Sequence, residues 1–232
     1  MTASLRYARL GARGVVSLPA FILMFAFVGF AGIARAAGFD VWQTMFMVFT
    51  IWALPAHLIF VDGVAAGASA LAIAAGVSLS SMRLMPMVAG LVPDLRGART
   101  PLWVMFVASH FIAITSYVYT LEHLDEVPRE HRMSFYLGLA IPLTATVTGV
   151  AGLAHALAAA VPPMVAAAIY FMTPPYFAMS LIKTSRFTGR VALGLGFVIG
   201  PLVGLLLPGA GALAAGIGGG LLAYLVGRWR GK

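Results

Sequence analysis

The chain has 232 residues, 61% of them hydrophobic and only 9% charged, and a mean hydropathy of +0.97; a water-soluble fold has no interior for so much apolar side chain, so this is an integral membrane protein. The 15 Lys and Arg against 7 Asp and Glu give a net charge of +8, but the basic residues sit at the ends of apolar segments and form no stripe, which argues against nucleic acid and for orientation in the bilayer. There is no cysteine, which excludes disulfides, thiolate metal sites and cysteine nucleophiles.

The apolar runs are long and rich in Ala, Gly and Leu, without ten-residue alternation, so the spans are helices and not barrel strands. Residues 1–13, with Arg6, Arg9 and Arg13, form a basic cytoplasmic N-terminus. The run that follows is longer than a signal-peptide core and is succeeded by further spans, so 14–34 is an uncleaved first helix. Further spans are expected at 42–61, 69–92, 101–120, 134–158, 163–182, 191–207 and 211–227, each near the roughly 20 residues that cross about 30 Å of hydrocarbon. The expected fold is all-α and polytopic, with about 7 to 8 transmembrane helices, some short or broken, and room for an inverted repeat that leaves no sequence trace. A polar loop at 122–133 separates an N-terminal half, 14–121, from a C-terminal half, 134–232.

With the N-terminus inside and eight crossings, the inner face collects Arg6, Arg9, Arg13, Arg129, Arg132, Lys183, Arg186, Arg190, Arg228, Arg230 and Lys232. Arg35, Arg96 and Arg99 then fall outside. The weak point is the connection DGVAAGASA at 62–70, which could be a re-entrant turn; losing a span there reverses everything after it. Glycines four apart (Gly63 and Gly67; Gly196, Gly200 and Gly204; Gly216 and Gly220) form ridges for close helix packing, within this chain or against another subunit. Pro55, the pair Pro162 and Pro163, and the pair Pro174 and Pro175 mark places where helices break and free backbone carbonyls.

Arg83 falls inside the third span, where an arginine near the bilayer centre costs roughly 2.5–3.5 kcal/mol on insertion scales. It is therefore expected to face the bundle interior or a wet cavity, with Ser80, Ser81 and Ser78 beside it. Its guanidinium suits bidentate binding of a carboxylate. The plainer alternatives are a structural pair with Asp62 or helix-end carbonyls, or a helix that ends at 82. His57 and His110 lie within apolar segments and, with Asp62, are candidates for proton coupling. Simple packing of the histidines and a turn role for Asp62 stand beside that.

The stretch IWALPAHLIFVDGVAAGASALAIAAGVSLSSMRLM resembles the most characteristic region of the AzlC family, the large subunit of bacterial branched-chain amino-acid exporters. The family's AAG turn corresponds to Ala65, Ala66 and Gly67, its serine to Ser69 and its arginine to Arg83. The usual glutamine is His57 here, the small residues before it are Leu54, Pro55 and Ala56, the acidic or Asn position is Ser81, and the histidine after the arginine is Leu84. A Thr-Asp-Glu motif appears as Ala108, Ser109 and His110. The resemblance implies a secondary exporter of Leu, Ile, Val or similar amino acids in the bacterial inner membrane, driven by protons, with a small AzlD-type membrane subunit as partner and oligomerisation left open. Substrate contacts would come from Arg83, Ser80, Ser81, Pro55, Gly67 and Ser69. No cofactor is expected. HEXXH and GxSxG are absent, so two other readings compete: a haem-binding or redox subunit using His57, His110 or His155, and a scaffold subunit that transports nothing.

Overall fold

A computed structural model describes residues 3–97, 100–158, 187–206 and 211–230, with single positions between 162 and 171. The chain divides into two units, Met1–Phe171 and Met172–Lys232. Among the described residues every regular element is helical. The first unit contains α1 (Ala3–Ala12), α2 (Leu18–Ala36), α3 (Val41–Thr50), α4 (Leu54–Ala65), α5 (Ala70–Ser81), α6 (Met85–Leu95), α7 (Leu102–His110), α8 (Ile114–His123) and α9 (Arg132–Leu157).

Helices α2 and α9 frame this unit and run parallel. Near the start of α2, a carbon added to Gly14 would meet Leu139, and at its end Arg35 Nη1 donates to the His155 carbonyl at 2.9 Å. Phe27, Phe30, Ala31 and Ala34 of α2 bury against Leu143, Val147 and Ala151 of α9. Ser17 caps α2 by accepting from the Ala20 N–H, and Pro19 occupies its first turn. Residues 3–12, expected only as a basic tail, form a helix packed antiparallel on the first turns of α9. A methyl group on Gly138 would strike the Ala8 backbone, and one on Gly11 the Phe135 carbonyl. Gly138→Ala is therefore expected to destabilise the protein by about 1–3 kcal/mol. The check is the melting temperature in detergent beside that of Gly149→Ala, where nothing lies within 4 Å of the added carbon and no change is expected.

Helix α3 starts where α2 ends, in a capping box: the Gln43 N–H donates to Asp40 Oδ1 at 2.7 Å and the Asp40 N–H to Gln43 Oε1 at 2.9 Å. It runs back beside the last turns of α9, with Thr44 Oγ1 3.0 Å from His155 Nδ1. Ten residues reach about 15 Å, half the hydrocarbon. There α3 stops: a helix continued through residue 55 would leave the Ile51 carbonyl without a donor, and Pro55 instead stands in the first turn of α4. Trp52, in the break, stacks on Phe27 in the middle of α2 at 6.1 Å. α4 then returns the way α3 came: Phe60 lies 6.1 Å from Phe39, just ahead of α3. The segment 41–65 is thus a re-entrant hairpin and not the crossing expected at 42–61.

Gly67 at φ +66° turns the chain and Ser69 caps α5. α5 and α6, joined by a 3-10 turn at Met82–Leu84, form a 26-residue apolar element, Ala70–Leu95. Its far end buries Leu91 and Leu95 with Leu124, Tyr136 and Ala140, back at the first turns of α9. It is long and apolar enough for the crossing expected at 69–92. Helices α7 and α8 then bend by 120° at Phe111–Ala113, and α8 returns to the end it left, with Tyr119 stacked on Phe135 at 6.3 Å. Residues 102–126 form a second re-entrant hairpin where 101–120 was expected to cross.

This corrects the expected topology. Arg96 and Gly97 line the same pocket as Pro128, Arg129 and Glu130, so Arg96 is not on the face opposite Arg129. In the first unit Arg6, Arg9, Arg13, Arg96, Arg129 and Arg132 lie at the end where α1 sits, Arg35 lies at the other, and Arg83 lies midway along Ala70–Leu95. Among the described residues three helices are long and apolar enough to cross, Leu18–Ala36, Ala70–Leu95 and Arg129–Leu157. The order crossing, hairpin, crossing, hairpin, with the hairpins entering from opposite ends, is an inverted repeat of topology.

The second unit is an antiparallel pair, α10 (Phe187–Leu206) and α11 (Gly211–Arg230), over the segments expected at 191–207 and 211–227. Glycines let the helices approach: a carbon on Gly219 would lie 3.1 Å from the Gly196 nitrogen, whereas Gly220 faces open space. The span expected at 163–182 lies almost wholly outside the described residues, as do Pro163, Pro174, Pro175, Arg99, Lys183, Arg186 and Lys232.

Candidate functional site

The two hairpin tips approach each other in the first unit, and the hydrogen bond that joins them lies on its surface, where His110 and Phe49 are exposed. At the first tip the Ile51 N–H donates to the Met47 carbonyl at 2.8 Å, and the Ala53 N–H folds back to the Ile51 carbonyl at 2.8 Å. The Ala56 and His57 N–H groups converge on the Ala53 carbonyl at 2.9 and 3.2 Å. His57 is fully buried and bridges the break: Nδ1 lies 2.9 Å from the Ala53 carbonyl and Nε2 3.2 Å from the Met47 carbonyl. Both partners are acceptors, and a neutral imidazole carries one N–H, so a second ring proton would find an acceptor already in place. Phe27 and Phe30 enclose the ring, at 5.4 and 4.6 Å.

The second tip is closed by one hydroxyl. Ser116 Oγ accepts from the Ala113 N–H at 2.9 Å and lies 3.0 Å from the Phe111 carbonyl. The tips are linked by His110, whose Nε2 donates to the Phe49 carbonyl of α3 at 3.2 Å.

The family described as AzlC protein matches residues 19–161, which takes in α2 to α9 and both hairpins. The chain belongs to the AzlC family. It is a membrane protein of a family associated with transport. Neither the curated proteins nor the solved structures contain a match to it.

Within the AzlC region the structure brings together Pro55, His57 and His110 at the hairpin tips. The other candidates follow α4 and α5, which pack antiparallel: a carbon on Gly63 would lie 2.8 Å from Ile73, and one on Gly76 2.9 Å from Ile59. Extended along the pair, that register sets Ser80 level with Pro55 and Ala56, near the start of α4; Arg83 lies beyond the end of α5. Midway along Ala70–Leu95, Arg83 has the mid-span depth expected of it. It does not face the interior of this unit: it is exposed, on the turn between α5 and α6. Ser81 Oγ donates to the Val77 carbonyl at 2.8 Å. Asp62, Gly67 and Ser69 are exposed in the α4–α5 region, well along the chain from the tip, where Gly67 and Ser69 shape the turn.

Sequence reasoning missed two groups that the fold places near α3. One is the clamp at the far end, where His155 holds Arg35 through its carbonyl and Thr44 through its ring. The other is Trp52, whose only sequence signal was an indole three residues ahead of Pro55 in an apolar run. The three histidines weighed for haem are each turned to different partners: backbone carbonyls for His57, the Phe49 carbonyl for His110 and the Thr44 hydroxyl for His155. Among the described residues no group of three or more His, Cys, Asp or Glu could hold a metal ion.

Proposed function

We propose that this AzlC-family protein is a secondary transporter that exports branched-chain or related small apolar amino acids, coupled to protons and assisted by a small AzlD-type membrane subunit. The observation that carries this reading is the meeting of two opposed re-entrant hairpins, joined by His110 and the Phe49 carbonyl. Discontinuous helices bring half-helix ends to the middle of a bundle, where N-terminal ends favour anionic groups and C-terminal carbonyls favour cationic ones. An amino acid offers one of each together with an apolar side chain. In this reading Arg83 binds the carboxylate, with Ser80, Ser81 and Pro55 beside it, Gly67 and Ser69 shape the adjoining turn, and carbonyls at the end of α3 meet the ammonium. His57 carries the coupled proton, with His110 and Asp62 as further stations. The concentration of arginines at the α1 end supports a cytoplasmic N-terminus in an inner-membrane protein.

Counterflow of labelled amino acids in vesicles tests the reading, with and without a co-expressed small subunit. Exchange of leucine, isoleucine and valine is expected; no exchange of any amino acid with the partner present rejects it. His57→Gln, which restores the residue usual in the family, is expected to keep transport and flatten its dependence on pH, because an amide has no titrating proton. An unchanged pH profile removes His57 as the proton site.

A further inference from the structure

We infer that the indole N–H of Trp52, together with the first turn of α4, is a carboxylate subsite at the tip of the first hairpin; this rests on the amino-acid transport reading and adds to it a neutral donor that the family resemblance does not supply.

Three observations converge on it. Trp52 is only 8% exposed, yet its Nε1 is a buried donor with no hydrogen-bond partner, which is costly at mid-membrane depth unless something fills it. The residue stands immediately before Ala53, the N-cap of α4, and α4 begins with no side-chain cap. Pro55 has no N–H and the Ala56 and His57 amides are taken by the Ala53 carbonyl, so what the start of α4 offers an anion is its dipole and the Leu54 N–H. Phe27 stacks on Trp52 at 6.1 Å and meets His57, one turn into α4, edge-on at 5.4 Å. Trp52 and His57, which both pack on the Phe27 ring, occupy the two positions of a hydrophobic staple around the N-cap Ala53. The second tip has no such vacancy, because Ser116 satisfies it. The asymmetry selects the first tip as the place where an incoming acceptor is needed. Arg83 stands two residues past the end of α5, midway along Ala70–Leu95, and in the transport reading it supplies the charged fork to which this neutral N–H is added.

Trp52→Phe removes the donor and keeps a ring against Phe27. It is expected to raise the apparent KM for leucine about tenfold, the usual consequence of losing a hydrogen bond to a charged group, with melting temperature unchanged. Wild-type exchange with an unaltered KM in Trp52→Phe overturns this subsite and leaves the transport reading standing; absence of exchange by the wild type overturns the transport reading itself. A second readout keeps the test open if Trp52→Phe does not fold. The other tryptophans, Trp42, Trp103 and Trp229, are 74%, 68% and 87% exposed, so replacing them with Phe leaves Trp52 as sole emitter. Leucine is expected to shift its emission and leucinol, which lacks the carboxylate, is not; equal responses to the two, or none to either, overturn the subsite.

Discussion

An Arg83→Gln protein is expected to insert and melt like the wild type while amino-acid efflux falls by about ten- to a hundredfold, the range that loss of one charge-assisted hydrogen-bonding group produces. The placement of Arg83 makes this specific. It occupies the midpoint of Ala70–Leu95, on the 3-10 turn ahead of Pro86. A guanidinium at that depth bears a standing cost, which an anionic substrate would offset each time it stops there. Arg83→Lys keeps the charge without the planar fork and is expected to retain part of the flux. Full efflux from Arg83→Gln would remove Arg83 from the substrate path. A loss of folding or of partner binding without selective loss of flux would favour the scaffold reading.

Labelling of single cysteines is expected to give an all-or-none answer on topology. The natural chain has no cysteine, so every signal comes from the introduced residue. Cysteines at Gly97 and Glu130, on either side of the second hairpin, should react with an impermeant maleimide from the same face as one at Ser4. Cysteines at Ala37 and Ala68, on either side of the first hairpin, should react from the opposite face. Had 101–120 crossed the membrane, Gly97 and Glu130 would label from different faces. That outcome would dismantle the paired-hairpin arrangement and with it the meeting of the tips.

Much of this was legible in the sequence. Apolar run length gave the helices, Pro55 marked a break, and His57, His110 and Arg83 stood out as polar groups in apolar surroundings. What the sequence could not give was direction. A run such as 42–61 holds enough apolar residues to cross or to fold back on itself, and periodicity is the same in both cases. The choice is made by contacts between distant residues, Trp52 on Phe27 and Phe60 on Phe39, which turn α4 back. The same limit hid α1, since three arginines in residues 1–13 look like a tail until Gly11 and Gly138 are seen to open a seat for it. Trp52 escaped because an indole is unremarkable in a membrane segment until its N–H is found without a partner. The connection at 62–70 is the weak point of the expected topology, and the structure departs from that topology close by. The element that failed to cross was the one before that turn, and a second hairpin failed to cross later, so the two errors cancelled for α9.

The two hairpins cover similar lengths of chain, 41–65 and 102–126, and enter from opposite ends. If the protein transports as proposed, hairpins matched in length let either tip yield, and the sense of net flow would then be imposed by concentration and voltage across the bilayer.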